Sequence, residues 1–286
     1  MRDFLPQRTG DGSITFFSAE FGETFHSQGG AAQEAEGKFI GPCGLRSLQQ
    51  NRLRIFDVCY GLGYNSAAAL AAIWAVNPDC HIELTAFDVD DGPAQAATAH
   101  LDPWPAPLHP LFIHLSQDHQ VETPKLTAQF HLGDARQTLP GVIRQGQQAD
   151  AIFLDPFSPP KCPQLWTVEF LTIVAQGLAP TGTLATYSCA AAVRTALQLA
   201  GLQVGPSPGV GRKAPGTIAR WPGQPLPPLS QQEQEHLATR AAVPYRDPQL
   251  QDAAPVILAR RREEQTISPL EPSSHWKRRW FWQERG

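Results

Sequence analysis

The run Arg54-Ile-Phe-Asp-Val-Cys-Tyr-Gly-Leu-Gly-Tyr-Asn-Ser66 constrains the fold more than any other stretch. An apolar segment ends in two glycines one residue apart and passes at once into the alanine-rich Ala67 to Ala75, which reads as a buried strand turning tightly into a helix. Glycines suit such a corner because they adopt backbone angles that other residues resist, and because a side chain would hold a ligand away from the backbone. Asp57, at the strand end, can accept hydrogen bonds from amides of the turn and from a ligand. A Gly-x-Gly pair also occurs in plain connectors, so the corner alone leaves a nucleotide cradle and a simple turn both open.

The rest of the chain alternates strands and helices. The first strand covers 54–59, and its helix spans 64–76 and stops at Asn77-Pro78. A second strand, His81 to Phe87, closes at Asp88-Val-Asp-Asp91, and a helix over 92–100 gives way to the proline-rich Asp102 to Pro110 and a helical piece at 111–115. A third strand, Ala128 to Leu132, leads to Gly133-Asp134, and a fourth, Ala149 to Leu154, to Asp155-Pro-Phe-Ser-Pro-Pro-Lys161. Then come an amphipathic helix from Gln164 to Gly177, a turn at Ala179 to Gly182, a fifth strand at Thr183 to Tyr187, and a helix from Ala190 to Leu199 that carries Arg194. Short runs at 203–204 and 217–221 suit late antiparallel strands. This order predicts an α/β, Rossmann-like parallel sheet with helices on both faces.

Acids stand where such a sheet binds ligands. Asp88 is placed for ribose hydroxyls, although acids also close strands for structural reasons. Asp134 can accept from an exocyclic amino group such as that of adenine, or cap the helix that follows. Asp155 enters a stiff proline-rich loop at the carboxyl edge, where catalytic groups of open α/β sheets lie.

Three segments are expected: an N-terminal extension or flap at 1–50, the sheet domain at 51–265, and a basic, aromatic tail at 266–286. The first reads equally as a lid beside the glycine corner and as a structural extension. The tail, Ser273-Ser-His-Trp-Lys-Arg-Arg-Trp-Phe-Trp-Gln-Glu-Arg285, suits stacking on nucleic acid or docking on the protein itself. The loop Pro208-Gly-Val-Gly-Arg-Lys-Ala-Pro-Gly216, with Arg212 and Lys213, suits phosphate contact or a solvated turn. A net charge of −4 offers no global basic field, so nucleic acid would need a local patch. Five cysteines without a C-x-x-C pair indicate neither a disulfide framework nor a zinc site and fit a reducing cytoplasm. The N-terminal residues lack the apolar centre of a signal peptide, and no apolar run is long enough to span a membrane.

The acids after the four strands, taken with Gly61 and Gly63, resemble the acidic ladder of class I S-adenosylmethionine-dependent methyltransferases. Within that class Asp57-Val-Cys-Tyr-Gly-Leu-Gly-Tyr-Asn65, Ile152-Phe-Leu-Asp-Pro-Phe-Ser-Pro-Pro-Lys-Cys-Pro-Gln-Leu-Trp166, Gly182-Thr-Leu-Ala-Thr-Tyr-Ser188 with Arg194, and Gly209-Val-Gly-Arg-Lys213 resemble the methyltransferase half of the bacterial tRNA 5-methylaminomethyl-2-thiouridine biosynthesis proteins and their stand-alone relatives. Glu23-Thr-Phe-His26 and Gly30-Ala-Ala-Gln-Glu34 also look like the N-terminal portion of that family.

The resemblance implies S-adenosylmethionine as methyl donor, held by Asp57, Gly61, Gly63 and Asn65 at its methionine end, Asp88 at the ribose, and Gly133 and Asp134 at the adenine. It implies Asp155 as a donor-site and catalytic residue, and Glu23, Arg194, Arg212 and Lys213 as substrate contacts. The implied acceptor is tRNA whose wobble uridine carries a 5-aminomethyl group. The fused family members carry a second, FAD-binding domain for which this chain is too short, so methylation alone is expected, without FAD, metal, membrane or an obligate protein partner. Cys59 departs from the family's usual first glycine of the turn, and Asp57 and Asp88 stand where glutamates are more usual. The alternatives are a class I methyltransferase or aminopropyltransferase acting on a small amine, and a non-catalytic protein that keeps S-adenosylmethionine as a structural ligand.

Overall fold

The structure is a computed structural model that describes residues 4–209 and 215–281. Two small hairpins come first, β1 (Gln7–Arg8) with β2 (Ile14–Thr15) and β3 (Phe17–Ser18) with β4 (Glu23–Thr24), followed by α1 (Ala31–Ala35), which runs on as a π-helical turn, Glu36–Ile40. The alternating part follows: β5 (Arg52–Val58), α2 (Tyr64–Val76), β6 (His81–Asp88), α3 (Gly92–Ala97), α4 (His109–Asp118), β7 (Gln120–Glu122), β8 (Leu126–Leu132), α5 (Ala135–Arg144), β9 (Ala149–Leu154), α6 (Val168–Gln176), β10 (Leu178–Thr186) and α7 (Ala191–Leu199). Then come β11 (Gln203–Pro206), β12 (Thr217–Arg220), α8 (Gln231–Leu237), α9 (Ala254–Ile267) and α10 (Ser273–Phe281).

The apolar runs form one eight-stranded sheet in the order β11-β12-β10-β9-β5-β6-β8-β7. The central run from β10 to β8 is parallel, while β7 and the β12–β11 pair close the two flanks antiparallel. Side chains alternate across each strand. Ile55 and Phe153 therefore face one core, with α1 and α2, and Phe56, Ile152 and Leu154 face the other, with α5, α6 and α7. The same alternation turns Asp57, Asp88 and Asp155 toward the α2 face. N-terminal residues Phe16, Phe39 and Ile40 are 0–1% exposed and belong to that first core.

Three elements differ from the expected ones. The turn at Ala179 to Gly182 is absorbed into β10 as a bulge, because the pairing slips between Leu178↔Ala149 and Thr183↔Ala151. The helix expected from Gln164 begins instead as a 3-10 turn, Pro163–Trp166, and restarts at α6, where Thr167 adopts an extended backbone and its side chain accepts the N–H of Phe170. The short edge strand β7 went unseen, since three residues hold too little alternation to register. Of the two readings of the tail, the described part shows docking on the protein. Trp276 is 8% exposed, stacks on His236 at 4.0 Å between ring centroids and donates its indole N–H to Gln232 O. No helix among the described residues is long and apolar enough to cross a membrane.

Candidate active site

The chain leaves β5 toward β6 on one side and returns as β9 on the other, so a crevice opens at the carboxyl ends of β5 and β9. A cavity of about 490 Å³ fills it, within the roughly 300–1,000 Å³ usual for small-molecule sites. Of the expected site residues, Glu23, Gly61, Asp88, Gly133, Asp134 and Asp155 are on its wall. Asp57, Gly63 and Asn65 are not, and neither is Arg194. Arg212 and Lys213 lie outside the described residues.

The turn after β5 joins several of these groups. Gly61 and Gly63 adopt φ of 54° and 79°, and a Cβ on Gly63 would fall 2.5 Å from the Tyr60 hydroxyl. The freed backbone N–H of Gly61 donates to Asp88 Oδ2 at 2.8 Å, while Val89 N–H donates to Asp88 Oδ1 at 2.7 Å. The glycine corner and the acid ending the second strand are thus one hydrogen-bonded unit. Cys59 has φ of 70°, the left-handed region where a Cβ crowds the backbone. That conformation gives a physical reason for the usual glycine here. Cys59→Gly relieves the crowding but frees the unfolded chain, so urea unfolding is expected to show a stability change under about 1 kcal/mol; β-branched Cys59→Val is expected to cost about 1–2 kcal/mol more.

The carboxyls sit in an electronegative corner. Asp57 is fully buried, accepts the Ser66 hydroxyl at 2.6 Å through Oδ2, and keeps Oδ1 without a partner. Burial pushes it up to about 7, against the Ser66 hydrogen bonds, with the Asp88 charge adding to the rise. Burial likewise pushes Asp88 up to about 6, against its backbone hydrogen bonds. Asp155 is driven well above the carboxylate range by burial first and by the nearby charge of Glu34 second; its Oδ2 accepts the Asn65 amide at 2.8 Å. Asn65 therefore reaches the site through Asp155.

Folded Asp57 holds its proton where the unfolded chain has lost it, so it weakens folding as pH rises from the ordinary 3.8 to about 7. Asp57→Asn removes that loss while its amide oxygen can still accept from Ser66. The stability of Asp57→Asn minus that of the wild type is expected to grow by at least about 1 kcal/mol between pH 4 and pH 7 in urea titrations. A difference that stays flat with pH would show that Asp57 is ionised in both states.

Asp134 does cap α5, accepting the N–H of Arg136 at 2.9 Å. Its carboxylate is also gripped by the Arg136 guanidinium, with Nη2 at 2.7 Å, and Arg136 carries on to the fully buried Asp247 at 2.8 Å. Any exocyclic amino group would share Asp134 with this cation. Glu23 anchors the N-terminal segment to the loop after β9: Oε1 accepts the Ser158 hydroxyl at 2.6 Å, and Oε2 accepts the Ser158 N–H at 3.2 Å. Beside this clasp Phe21 stacks on Phe157 at 4.3 Å and Phe25 meets Phe157 edge-on at 5.0 Å, making an aromatic wall to the cavity.

Arg194 departs from the expected substrate contact. It is 2% exposed, pairs with Glu233 at 2.8 Å, and donates to Thr217 Oγ1 and Gly216 O at 3.0 and 3.2 Å. Its guanidinium ties α7 to β12 and α8, away from the residues that line the cavity. Residue-type reasoning missed Arg136, Phe21, Phe157 and Cys162 on the wall. The Gly-Asp-x-Arg spacing and the Phe157-x-Pro loop were visible but carried no sign of which groups they would meet.

Residues 98–222 match the model of a family described as S-adenosyl-L-methionine-dependent methyltransferases. The chain aligns with the crystal structure of MNMC2 from Aquifex aeolicus at a TM-score of 0.81 and 32% identity, covering 94% of this chain and 87% of that one. It is 33% identical over 237 residues to the tRNA 5-methylaminomethyl-2-thiouridine biosynthesis bifunctional protein MnmC of Ralstonia nicotianae, which is 76% of this chain and 34% of that protein. An uncharacterized protein of Methanocaldococcus jannaschii is 28% identical over 264 residues, 89% of this chain and 70% of that one. The chain thus spans about a third of the length of the bifunctional relative.

Proposed function

Because this chain belongs to the MnmC family of S-adenosylmethionine-dependent methyltransferases, we propose that it methylates the primary amine of a 5-aminomethyl uridine at the wobble position of tRNA, giving the 5-methylaminomethyl form. The observation that carries this reading is a half-buried carboxylate, Asp155, sharing one cavity with the aromatic wall of Phe21, Phe25 and Phe157. A carboxylate serves an amine, and an aromatic wall serves a flat base that must be taken out of its stack to be reached.

The residues present fit a sulfonium donor. The cavity gathers carboxyl groups, and behind its wall Asp57 Oδ1 is an acceptor without a partner among the described residues, so the surroundings favour a cation. Asp88, Gly133 and Asp134 would hold the nucleoside part, and Gly61, with Asp57 and Asn65 behind the wall, would shape the methionine end. When bound, S-adenosylmethionine supplies an electrophilic methyl group. The chain's own residues supply the rest. Asp155 accepts a proton from the amine, and burial with the nearby Glu34 charge raises its carboxyl above an ordinary aspartate, which makes it a stronger base. Asn65 fixes one Asp155 oxygen, and the Asp155 N–H bonds to Val58 O at 3.0 Å, so the base is held to the strand that carries the glycine corner. Burial pushes the Cys162 thiol up to about 12 and Cys59 well above its usual value, which keeps both protonated and unable to compete for the methyl group. Glu23 and Ser158 close the N-terminal segment over the site.

Nucleoside mass spectrometry of undermodified tRNA, after incubation with the protein and S-adenosylmethionine, tests the reading. Conversion of 5-aminomethyl to 5-methylaminomethyl uridine supports it. Methyl transfer to a free polyamine with none to tRNA would replace it by the small-amine alternative.

A further inference from the structure

The N-terminal segment brings to the cavity a carboxylate that this chemistry leaves unused. Glu34, on α1, is 9% exposed and lines the same cavity as Asp155. Its Oε2 accepts the Ser27 N–H at 3.0 Å, and no ion pair among the described residues involves it. The neighbouring His26 brings no positive charge: burial drives it down to about 4, against the pull of Glu34 and Asp11, so it is neutral at physiological pH. On the far side, Asp155 meets Asn65, Asp57 and Cys59, and no ion pair among the described residues involves it. Asp57 is fully buried, and its Oδ1 has no hydrogen-bond partner among the described residues.

Carboxylates enclosed together are costly twice over, through lost hydration and through mutual repulsion. In most proteins a lysine or arginine would relieve them. Here the flap and the loop after β9 each contribute an acid to one cavity, with Asp57 of β5 behind its wall; the wall's arginine, Arg136, is taken up by Asp134 and Asp247, and among the described residues no ion pair reaches Glu34, Asp57 or Asp155. Such a corner is completed by a ligand that brings positive charge and several N–H donors.

The geometry points to Glu34 and Asp155 as a two-carboxylate receptor for the acceptor's ammonium group, with Glu34 a positioning residue that holds the amine while Asp155 takes its proton. This rests on the reading that the acceptor is a primary amine, and it adds that the amine arrives protonated. The amine R–NH3+ gives one proton to the Asp155 carboxylate and keeps a hydrogen bond to Glu34. The freed lone pair then forms the N–C bond as the C–S bond of the sulfonium breaks, with that electron pair staying on the departing thioether sulfur. The product leaves as R–NH2+–CH3, and the Asp155 proton goes to solvent. The pair also sets specificity. An acceptor with a neutral hydroxymethyl group at the same position leaves both carboxylates uncompensated and is rejected.

Glu34→Gln tests this, since its amide oxygen can keep the Ser27 hydrogen bond. Two measurements are made: kcat and KM for tRNA bearing 5-aminomethyl uridine and separately for S-adenosylmethionine between pH 6 and 9, and thermal melting in methylammonium chloride against sodium chloride at equal ionic strength. The expected result is an acceptor KM raised about 10-fold or more, from the lost charge-assisted hydrogen bond. Donor affinity is expected to hold within about twofold. The acidic limb of the kcat/KM profile is expected to move to lower pH, because a like charge beside Asp155 is gone. Methylammonium is expected to stabilise the wild type and not the variant. A weakened donor with an unchanged acceptor KM would overturn the inference and assign Glu34 to the donor's α-ammonium; so would identical behaviour of variant and wild type in both measurements. If the wild type leaves tRNA unmethylated while the Glu34-dependent methylammonium effect persists, the tRNA reading falls and the amine receptor stands.

Discussion

Asp155→Asn is expected to lower kcat for methyl transfer about 10³-fold while leaving the folded protein at least as stable as the wild type. The two halves of this expectation have separate causes. The amide has the shape of the carboxyl and can still accept the Asn65 N–H now held at 2.8 Å, so packing and the loop after β9 are kept. It carries no charge to desolvate, whereas the native carboxyl is raised by burial and by Glu34. What it loses is the capacity to take a proton. At neutral pH the amine then stays an ammonium with no lone pair to offer. Single-turnover measurements with both substrates saturating, from pH 6 to 9, check this: the variant's residual rate is expected to climb with pH as free amine accumulates. A decrease of only a few fold, with the wild-type pH profile intact, would remove Asp155 from the role of base. Asp155→Ala is a poorer test, because it strands the Asn65 amide without its partner.

Trp166→Ala is expected to cost about 3–5 kcal/mol of stability, a large share of what a domain of this kind has. Trp166 is fully buried, meets Tyr187 edge-on at 6.1 Å, and donates its indole N–H to Phe157 O at 2.9 Å. The last contact links the core to the site. Phe157 carries the stack with Phe21, and the next residue, Ser158, is the point to which Glu23 is fastened. Losing the indole therefore leaves a cavity under the catalytic loop and frees its backbone. Trp166→Phe separates the two effects, since it keeps most of the volume and removes only the N–H. It is expected to cost about 1–2 kcal/mol and to raise the acceptor KM more than it lowers kcat. Urea midpoints read the first quantity and steady-state kinetics the second. A stable Trp166→Ala protein with unchanged kinetics would mean that the loop holds itself in place.

Several features were legible before any coordinates. Gly61, Asp88 and Asp155 could be placed because an apolar run followed by glycine or an acid marks the carboxyl end of a buried strand, and the order of those ends carried the family resemblance. The departure at Cys59 was visible too, but its meaning was not. Only the backbone shows a non-glycine residue at φ of 70°, in the region that explains the usual glycine.

Arg194 shows the opposite case. The family resemblance implies a substrate contact for Arg194, and nothing in the neighbouring residues says otherwise. Its burial follows from Thr217 on β12 and Glu233 on α8, partners far along the chain. Asp134 was correctly legible as a helix cap, but Arg136 and Asp247 claim the rest of its carboxylate.

The sequence by itself determined most of the order of strands and helices and the residues at the ends of the central strands. These are local matters of periodicity and turn chemistry. Only the tertiary structure decided that Glu23 clasps Ser158, that Phe21 stacks on Phe157, and that Glu34 and Asp155 share one cavity while its arginine, Arg136, is held by Asp134 and Asp247. Those contacts join the first fifty residues to a loop more than a hundred positions away, and hydrophobic periodicity carries no information at that range.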